Sequence, residues 1–477
     1  MKKSVLILSC CSLIFLLASC SSSDNEETET NTSKQVEEPE TPIPVQDVFR
    51  MGVVTDSVRV YDHPNESYAI YLPNKYASDS LWPVIFIFDA QGRGALPVRN
   101  YQTLADEFGY VLIGSNYSKN GMQSSDHYAH IDHLFHDCYN RFSLSPKRLY
   151  TMGFSGGARV AVSAAVKNSS VVGVIGCAAG FPQLKAKLTR KFDYIGFVGD
   201  RDFNYQEMYR LKQIITDQEF RNALVTFDGK HEWPETAVMR EAFKWNQLNL
   251  RRDGLSAKDK PLGWLETEVD QYFALIDQNR FPEASLLLDK IEAFYDQFVP
   301  PSHFNKEENF SPRIAEAKSI EAYFEEENQL KEFFLEALKT EQLDWWRTEI
   351  AKMNALIAKE IDHFKKASLQ RVLSHLSLVT YMYVDGTLKK GQLEPAGFFL
   401  EIYGLVDPEN PEQPYLKARW LLKQNQPEMA IVELNKSAGL GFSDMKRFQQ
   451  DGNVEVLKSL RGYNGLVEKI KKNREEN

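Results

Sequence analysis

Two hydrophobic rhythms divide the chain. From about residue 57 to 250, short apolar runs alternate with longer helical segments. Ser57–Tyr61 and Ser67–Leu72 have the composition of antiparallel strands, and Pro83–Phe88 (PVIFIF) is continuously apolar, as in a strand covered on both faces. A helix is expected over Pro97–Phe108, a strand over Tyr110–Ser115 and a helix over Asp126–Phe142. The order continues with a strand at Leu149–Met152, a helix at Ala158–Val166, and strands at Val171–Ala178 and Tyr194–Val198. A helix at about Tyr205–Gln218, a strand at Ala223–Phe227 and a helix to about Leu250 complete it. This alternation predicts an α/β fold, a mostly parallel sheet sandwiched by helices.

Beyond about residue 255 the strand runs stop. Long amphipathic segments take over at Trp264–Asn279, Glu283–Phe298, Arg313–Lys339, Leu343–His363 and Leu369–Thr387, and predict an all-α array. Its end repeats itself: Lys390-Gly-Gln-Leu-Glu-Pro-Ala396 recurs 34 residues later as Gln424-Asn-Gln-Pro-Glu-Met-Ala430, with a weaker echo at Arg280–Ala284. A small alanine after a turn, at this period, resembles tetratricopeptide repeats. Pro408 fits that pattern, whereas the usual tryptophan and glycine are missing, and an unrelated helical bundle is the alternative. Such arrays bind partners on a concave face; packing against the first half, or roofing its cleft, is the alternative.

The chemistry concentrates at Arg148–Val166. A strand leads into Gly153-Phe154-Ser155-Gly156-Gly157, and a small aliphatic helix follows. Strand, G-x-S-x-G, helix is the arrangement of a nucleophile elbow. Glycine at 153 and 157 removes the clashes that so tight a turn would create, and the Gly156 amide lies at a helix N-terminus, where it can stabilise negative charge. Three further segments follow strands in a fixed order: Asp89-Ala-Gln-Gly-Arg-Gly94, Gly199-Asp-Arg-Asp202 and Gly229-Lys-His-Glu-Trp-Pro234.

With these segments, residues 57 to 250 resemble an α/β-hydrolase domain of the secreted esterase and polyester-depolymerase branch. The resemblance implies a serine hydrolase acting on an ester, with Ser155 as nucleophile, His231 as base and Asp202 as acid. It also implies an oxyanion hole from Gly156 and an amide at Ala90 or Gln91. The loop DAQGRG departs from the HGGG type of many lipases, so the second donor is not fixed by that motif. Asp200 is a rival for the acid, and a helix N-cap is the other role open to Asp202. A loop histidine stacked on Trp233 is the alternative for His231. A peptidase on the same triad, or a non-catalytic binding lipoprotein with a vestigial site, are the competing functions. Asn116, Tyr117 and His127 follow a strand's C-terminal end, the edge where α/β sheets bind ligands, and could line the pocket or form core and turn. The expected substrate is a small-molecule or glycan-linked ester, without cofactor.

The segment around His127, His130, His133 and His136 has HxxH spacings that can bind zinc. Steps of three drift by about 60° around a helix, so the four fan over half its circumference. H-E-x-x-H and its inverse are absent, so the expectation is a solvated or cleft-flanking helix and no metal. No glycine-rich phosphate loop, dinucleotide fingerprint or zinc-ribbon spacing occurs.

Composition changes the picture at the front. Lys2 and Lys3 precede the apolar stretch Val5–Leu17, which is short for a membrane span, and Leu17-Ala-Ser-Cys20 resembles a bacterial lipobox. The resemblance implies a signal peptide over 1–19, acylation of Cys20 and, with Ser21 following, an outer-membrane address. Residues 20–46 are rich in Ser, Glu, Thr and Pro and are expected to be a disordered acidic tether, like that of surface-exposed lipoproteins. Which face of the outer membrane the protein occupies stays open. The expected domains are therefore 47–252, hydrolase, and 253–477, helical and a candidate binder of a protein partner. A net charge of −10 argues against a general grip on nucleic acid. Cys10 and Cys11 leave with the signal; Cys177 reads as core, and a disulfide to Cys138 has no support in the sequence.

Overall fold

The run Pro83–Phe88 lies within a sheet of eight strands. The computed structural model describes residues 49–182, 190–254, 262–298, 318–450 and 454–476; the expected signal, the tether and Cys20 lie outside them. The strands are β1 (Val54–Val60), β2 (His63–Tyr71), β3 (Trp82–Asp89), β4 (Val111–Ser115), β5 (Leu144–Phe154), β6 (Val171–Cys177), β7 (Asp193–Gly199) and β8 (Asn222–Phe227). Their spatial order is β1-β2-β4-β3-β5-β6-β7-β8. β1 and β2 run antiparallel to their neighbours, and β4 through β8 are parallel.

Strand period two divides the side chains between two faces. Ile85 and Ile87 join one core with α1 (Ala95–Phe108) and α5 (Thr236–Arg252). Val84, Phe86 and Phe88 join the other with α2 (Ser124–Arg141), α3 (Gly156–Lys167) and α4 (Tyr205–Asp217). This is the α/β-hydrolase fold, followed by a helical region. β5 starts earlier than the apolar run at 149 shows. Leu144 pairs with Trp82, the register then shifts, and ladder pairing resumes at Leu149 opposite Val84. The shift spans Pro146, which has no N–H to give the ladder.

The helical region holds α6 (Leu262–Asp277), α7 (Phe281–Tyr295), α8 (Ile320–Thr340), α9 (Leu343–Lys359), α10 (His363–Lys389), α11 (Leu393–Val406), α12 (Glu412–Lys423) and α13 (Pro427–Gly439). Three shorter helices follow, α14 (Met445–Gln450), α15 (Val454–Leu457) and α16 (Tyr463–Glu476). The expected helix 313–339 begins in residues outside those described. The apolar period alone merged His363 with the helix before it. The structure breaks the chain at 360–362, because the Asp362 carboxylate accepts the Lys365 N–H and caps α10.

The sequence repeat marks one turn used three times. Asn279, Gly391 and Asn425 all have positive φ, of 58°, 73° and 58°. The following N–H groups reach back five residues in each case, Arg280 to Leu275 O, Gln392 to Thr387 O and Gln426 to Leu421 O, at 2.9, 2.9 and 3.0 Å. These left-handed turns close helical hairpins, and Ala284, Ala396 and Ala430 lie fully buried just beyond them.

α7 packs on β8, an edge strand whose open side would otherwise invite pairing with another chain. Leu288, Ile291 and Phe294 enter the core of α1 and α5, while Leu286 meets Val198 and Leu224. At roughly 1.5–3 kcal/mol per buried side chain, these contacts rival the net stability of a whole domain. The two halves consequently share a core, and the described residues from 49 onward form one compact unit.

Candidate active site

The elbow is assembled by glycines that no larger residue can replace. A Cβ on Gly153 would lie 2.1 Å from Gly157 O, and one on Gly157 would lie 2.0 Å from Phe88 O. The turn between them puts Ser155 at φ 54° and ψ −122°, a conformation that L-residues rarely adopt. Its N–H donates to Cys177 O at 2.8 Å, which holds the strained residue on the sheet.

His231 comes from the connection after β8 and Asp202 from the connection after β7. His231 Nε2 stands 3.0 Å from Ser155 Oγ. Its Nδ1 stands 3.0 Å from each oxygen of Asp202. Asp202 is fully buried and also accepts the Asn204 N–H at 2.8 Å in a two-residue turn, while Asn204 and not Asp202 stands at the N-cap of α4. Burial raises its pKa, and the hydrogen bond from His231 acts against that rise. Phe203 stacks on the imidazole at 4.2 Å and Phe154 leans on it at 4.9 Å, so the partner rings are not the Trp233 of the alternative reading.

Asp200 serves elsewhere. Its Oδ1 accepts the Gly229 N–H at 3.2 Å and Arg201 Nε at 3.3 Å, and so fixes the start of the histidine loop.

The proposed oxyanion loop needs a correction. The Gln91 N–H donates to Asp89 Oδ1 at 2.8 Å, so that amide is spent inside its own turn. Ala90 is then the loop's remaining candidate beside Gly156. Asp89 is fully buried and takes Arg93 Nε at 3.0 Å, Arg93 Nη2 at 3.1 Å and Trp233 Nε1 at 2.9 Å. Burial would raise its pKa, but the Arg93 guanidinium and these donors hold it below the usual carboxylate value.

In the β4–α2 loop Asn116 and Tyr117 make the turn and packing contacts of the second alternative. The Asn116 carboxamide donates to Asp56 O at 2.8 Å, which ties the loop to β1. Tyr117 packs against His130 at 4.9 Å. Asn120, which no motif marks, reaches the elbow: a Cβ on Gly156 would meet Asn120 Oδ1 at 1.7 Å, while the Asn120 N–H donates to Ala90 O at 2.8 Å. The α2 histidines are not a solvated set. His130 is fully buried between Glu66 and Ser115, His127 meets Ser118 Oγ at 3.1 Å, and His136 is exposed beside Asn140. Cys138 and Cys177 are both buried and free.

The helical region touches this site through Arg371 of α10. The side chain is fully buried, lies over the Tyr205 ring, and binds Glu327 through Nε at 2.8 Å. Its Nη1 donates to Asp200 O at 2.6 Å, across 171 residues of sequence. It therefore props the loop that carries Asp202.

No protein-family model and no curated protein matches the chain. Among solved structures it is similar to S-formylglutathione hydrolase from Staphylococcus aureus, with 15% identity over 42% of this chain and 99% of that one, at a TM-score of 0.34. The esterase of the archaeon Pyrobaculum calidifontis matches with 13% identity over 43% of this chain and 88% of that one, at 0.35. Esterase 2 of the planctomycete Thermogutta terrifontis matches with 14% identity over 44% and 96%, at 0.34. Among the described residues no helix is long and apolar enough to cross a membrane.

Proposed function

We propose that the protein is a serine hydrolase that cleaves a carboxylic ester. The observation that carries this reading is the strained Ser155, with His231 Nε2 at 3.0 Å from its hydroxyl and Asp202 on the other ring nitrogen. Ser155 Oγ attacks the ester carbonyl and gives its proton to His231 Nε2. Asp202 keeps Nδ1 protonated and stabilises the imidazolium. The amides of Gly156 and Ala90 receive the oxyanion. His231 then returns the proton to the departing alkoxide, leaving an acyl group on Ser155. Water activated by His231 hydrolyses that acyl-enzyme and releases the acid.

The substrate we infer is a small-molecule or glycan-linked ester outside the cytoplasm. Acylation of Cys20 would tether the enzyme to the outer membrane through the acidic segment. The repeated hairpins of the helical half would then act as a tetratricopeptide-like platform for a protein partner.

A fluorophosphonate probe tests the catalytic reading on the full chain. Wild type should be labelled on Ser155 and should turn over p-nitrophenyl esters, and Ser155→Ala should lose both. Labelling that persists in Ser155→Ala, or its absence from folded wild type, overturns the proposal.

A further inference from the structure

Glu66 sits near the start of β2, with most of its surface covered. Each of its oxygens holds one imidazole: Oε2 meets His130 Nδ1 at 2.6 Å and Oε1 meets His133 Nδ1 at 3.0 Å. The hydrogen bonds from the two histidines keep the carboxyl below its usual pKa against the pull of burial. A third imidazole completes the group. His63, at the start of β2, stacks on His133 with ring centroids 3.4 Å apart and planes 8° apart. One ligand atom from each of His63, Glu66 and His133 lies within 4.8 Å of the others. The two imidazoles of His63 and His133 stand at a cavity of about 680 Å³ that His136, Asp132 and Asp62 also help to line, with Glu66 behind them.

Two parallel imidazoles in contact stand beside one carboxylate, so a turn of the His63 ring is what would bring the three nitrogen and oxygen donors onto one ion. The donor set is two histidines and a glutamate with an open side, the composition of a zinc site that keeps a free position. His130 supplies the outer support: it holds the second oxygen of Glu66, and its own Nε2 rests on Ser115 Oγ at 2.6 Å. Tyr68 pairs with Ser115, the last residue of β4, so Glu66 and His63 lie beyond that strand on the edge where Ser155 also sits. The site would pin the β1–β2 hairpin to α2.

We propose that His63, Glu66 and His133 bind one Zn²⁺, with solvent or a small ligand in the fourth position. The ion takes the place of the proton between His133 and Glu66, and His63 swings out of its stack to reach it. Imidazole ligands disfavour Mg²⁺ and Ca²⁺, which prefer all-oxygen sites.

The test uses full-length protein stripped with a chelator. Titration calorimetry with ZnCl₂, checked by metal analysis after dialysis, should give one equivalent bound, and MgCl₂ should give none. His63→Ala and His133→Ala should each weaken binding at least tenfold, while His136→Ala, on the same cavity, should bind as wild type. Zinc should raise the melting temperature of wild type and leave that of His63→Ala unchanged, with His63→Ala folded by circular dichroism. Zinc uptake equal in wild type and the His63→Ala/His133→Ala double variant overturns the proposal. So does a loss in His136→Ala as large as that in His63→Ala. None of these variants touches Ser155, Asp202 or His231, so the result stands apart from the fate of the esterase reading.

Discussion

Trp233 Nε1 donates to Asp89 Oδ2 at 2.9 Å, joining two loops 144 residues apart in sequence. Trp233 lies two residues beyond His231, and Asp89 ends the strand before the oxyanion loop. One carboxylate thus fixes the His231 loop and the turn after β3 relative to each other. In the proposed mechanism this is a positioning role, because the fully buried Asp89 carboxylate is taken up by Gln91, Arg93 and Trp233.

Asp89→Ala should lower kcat by one to two orders of magnitude while KM changes little. It strands the half-buried Trp233 N–H, at up to about 1–3 kcal/mol for a donor left unpaired. Steady-state kinetics and urea unfolding check both effects. The depressed pKa of Asp89 sets the sign with pH: its contribution is present above the usual carboxylate value and is lost as pH falls below it. The stability gap between wild type and Asp89→Ala should therefore close in acid.

Asp202 carries the opposite sign. Burial raises its pKa, so the folded state holds this proton to higher pH than the unfolded chain does. Stability then falls as pH rises through that window, and the ionised carboxylate is a net cost at neutral pH. Asp202→Asn should melt no lower than wild type at pH 7.5, yet lose about 10⁴ in kcat through the wrong histidine tautomer. A clear drop in melting temperature at that pH would contradict the assigned sign.

Arg371 tests whether the helical half belongs to the site. Arg371→Met leaves Glu327 buried with Lys331 and Ser368 but without its guanidinium, and should cost about 3–5 kcal/mol. It should also lower kcat roughly tenfold by releasing Asp200 O and the Asp202 loop. Adding Glu327→Leu should restore stability but not turnover, since the prop on Asp200 stays absent. Recovery of both would make Arg371 purely structural.

The elbow glycines should separate by what they touch. Gly157→Ala meets backbone at Phe88 and should abolish folding, read as loss of soluble protein. Gly156→Ala meets the Asn120 side chain first, which can swing aside, so the fold should persist. Turnover should fall by about 10²–10³ as the oxyanion donor is displaced. Circular dichroism and ester hydrolysis on the same sample check the pair.

The strands were legible because covered strands are continuously apolar, as in Pro83–Phe88. The helix-end signals were harder to see. Asp362 starts α10 with a cap, and the apolar period alone ran through it. Gln91 looked like a free amide because the loop motif does not show that Asp89 folds back to take it. Asn116 was placed on the correct loop, but its carboxamide turned out to be spent on Asp56, whereas Asn120, without a motif, covers Gly156.

The sequence by itself determined the order of strands and helices, the glycine-framed turn at Ser155 and the repeated hairpin turn. These follow from local sterics and period, which neighbouring residues carry. Only the tertiary structure decided that Asp202 rather than Asp200 meets His231, that Asp89 ties two loops together, and that Arg371 reaches the acid loop. Those choices depend on which buried donors and acceptors meet after the sheet closes, since each unpaired one is costly, and nothing in the local pattern encodes such pairings between separate loops.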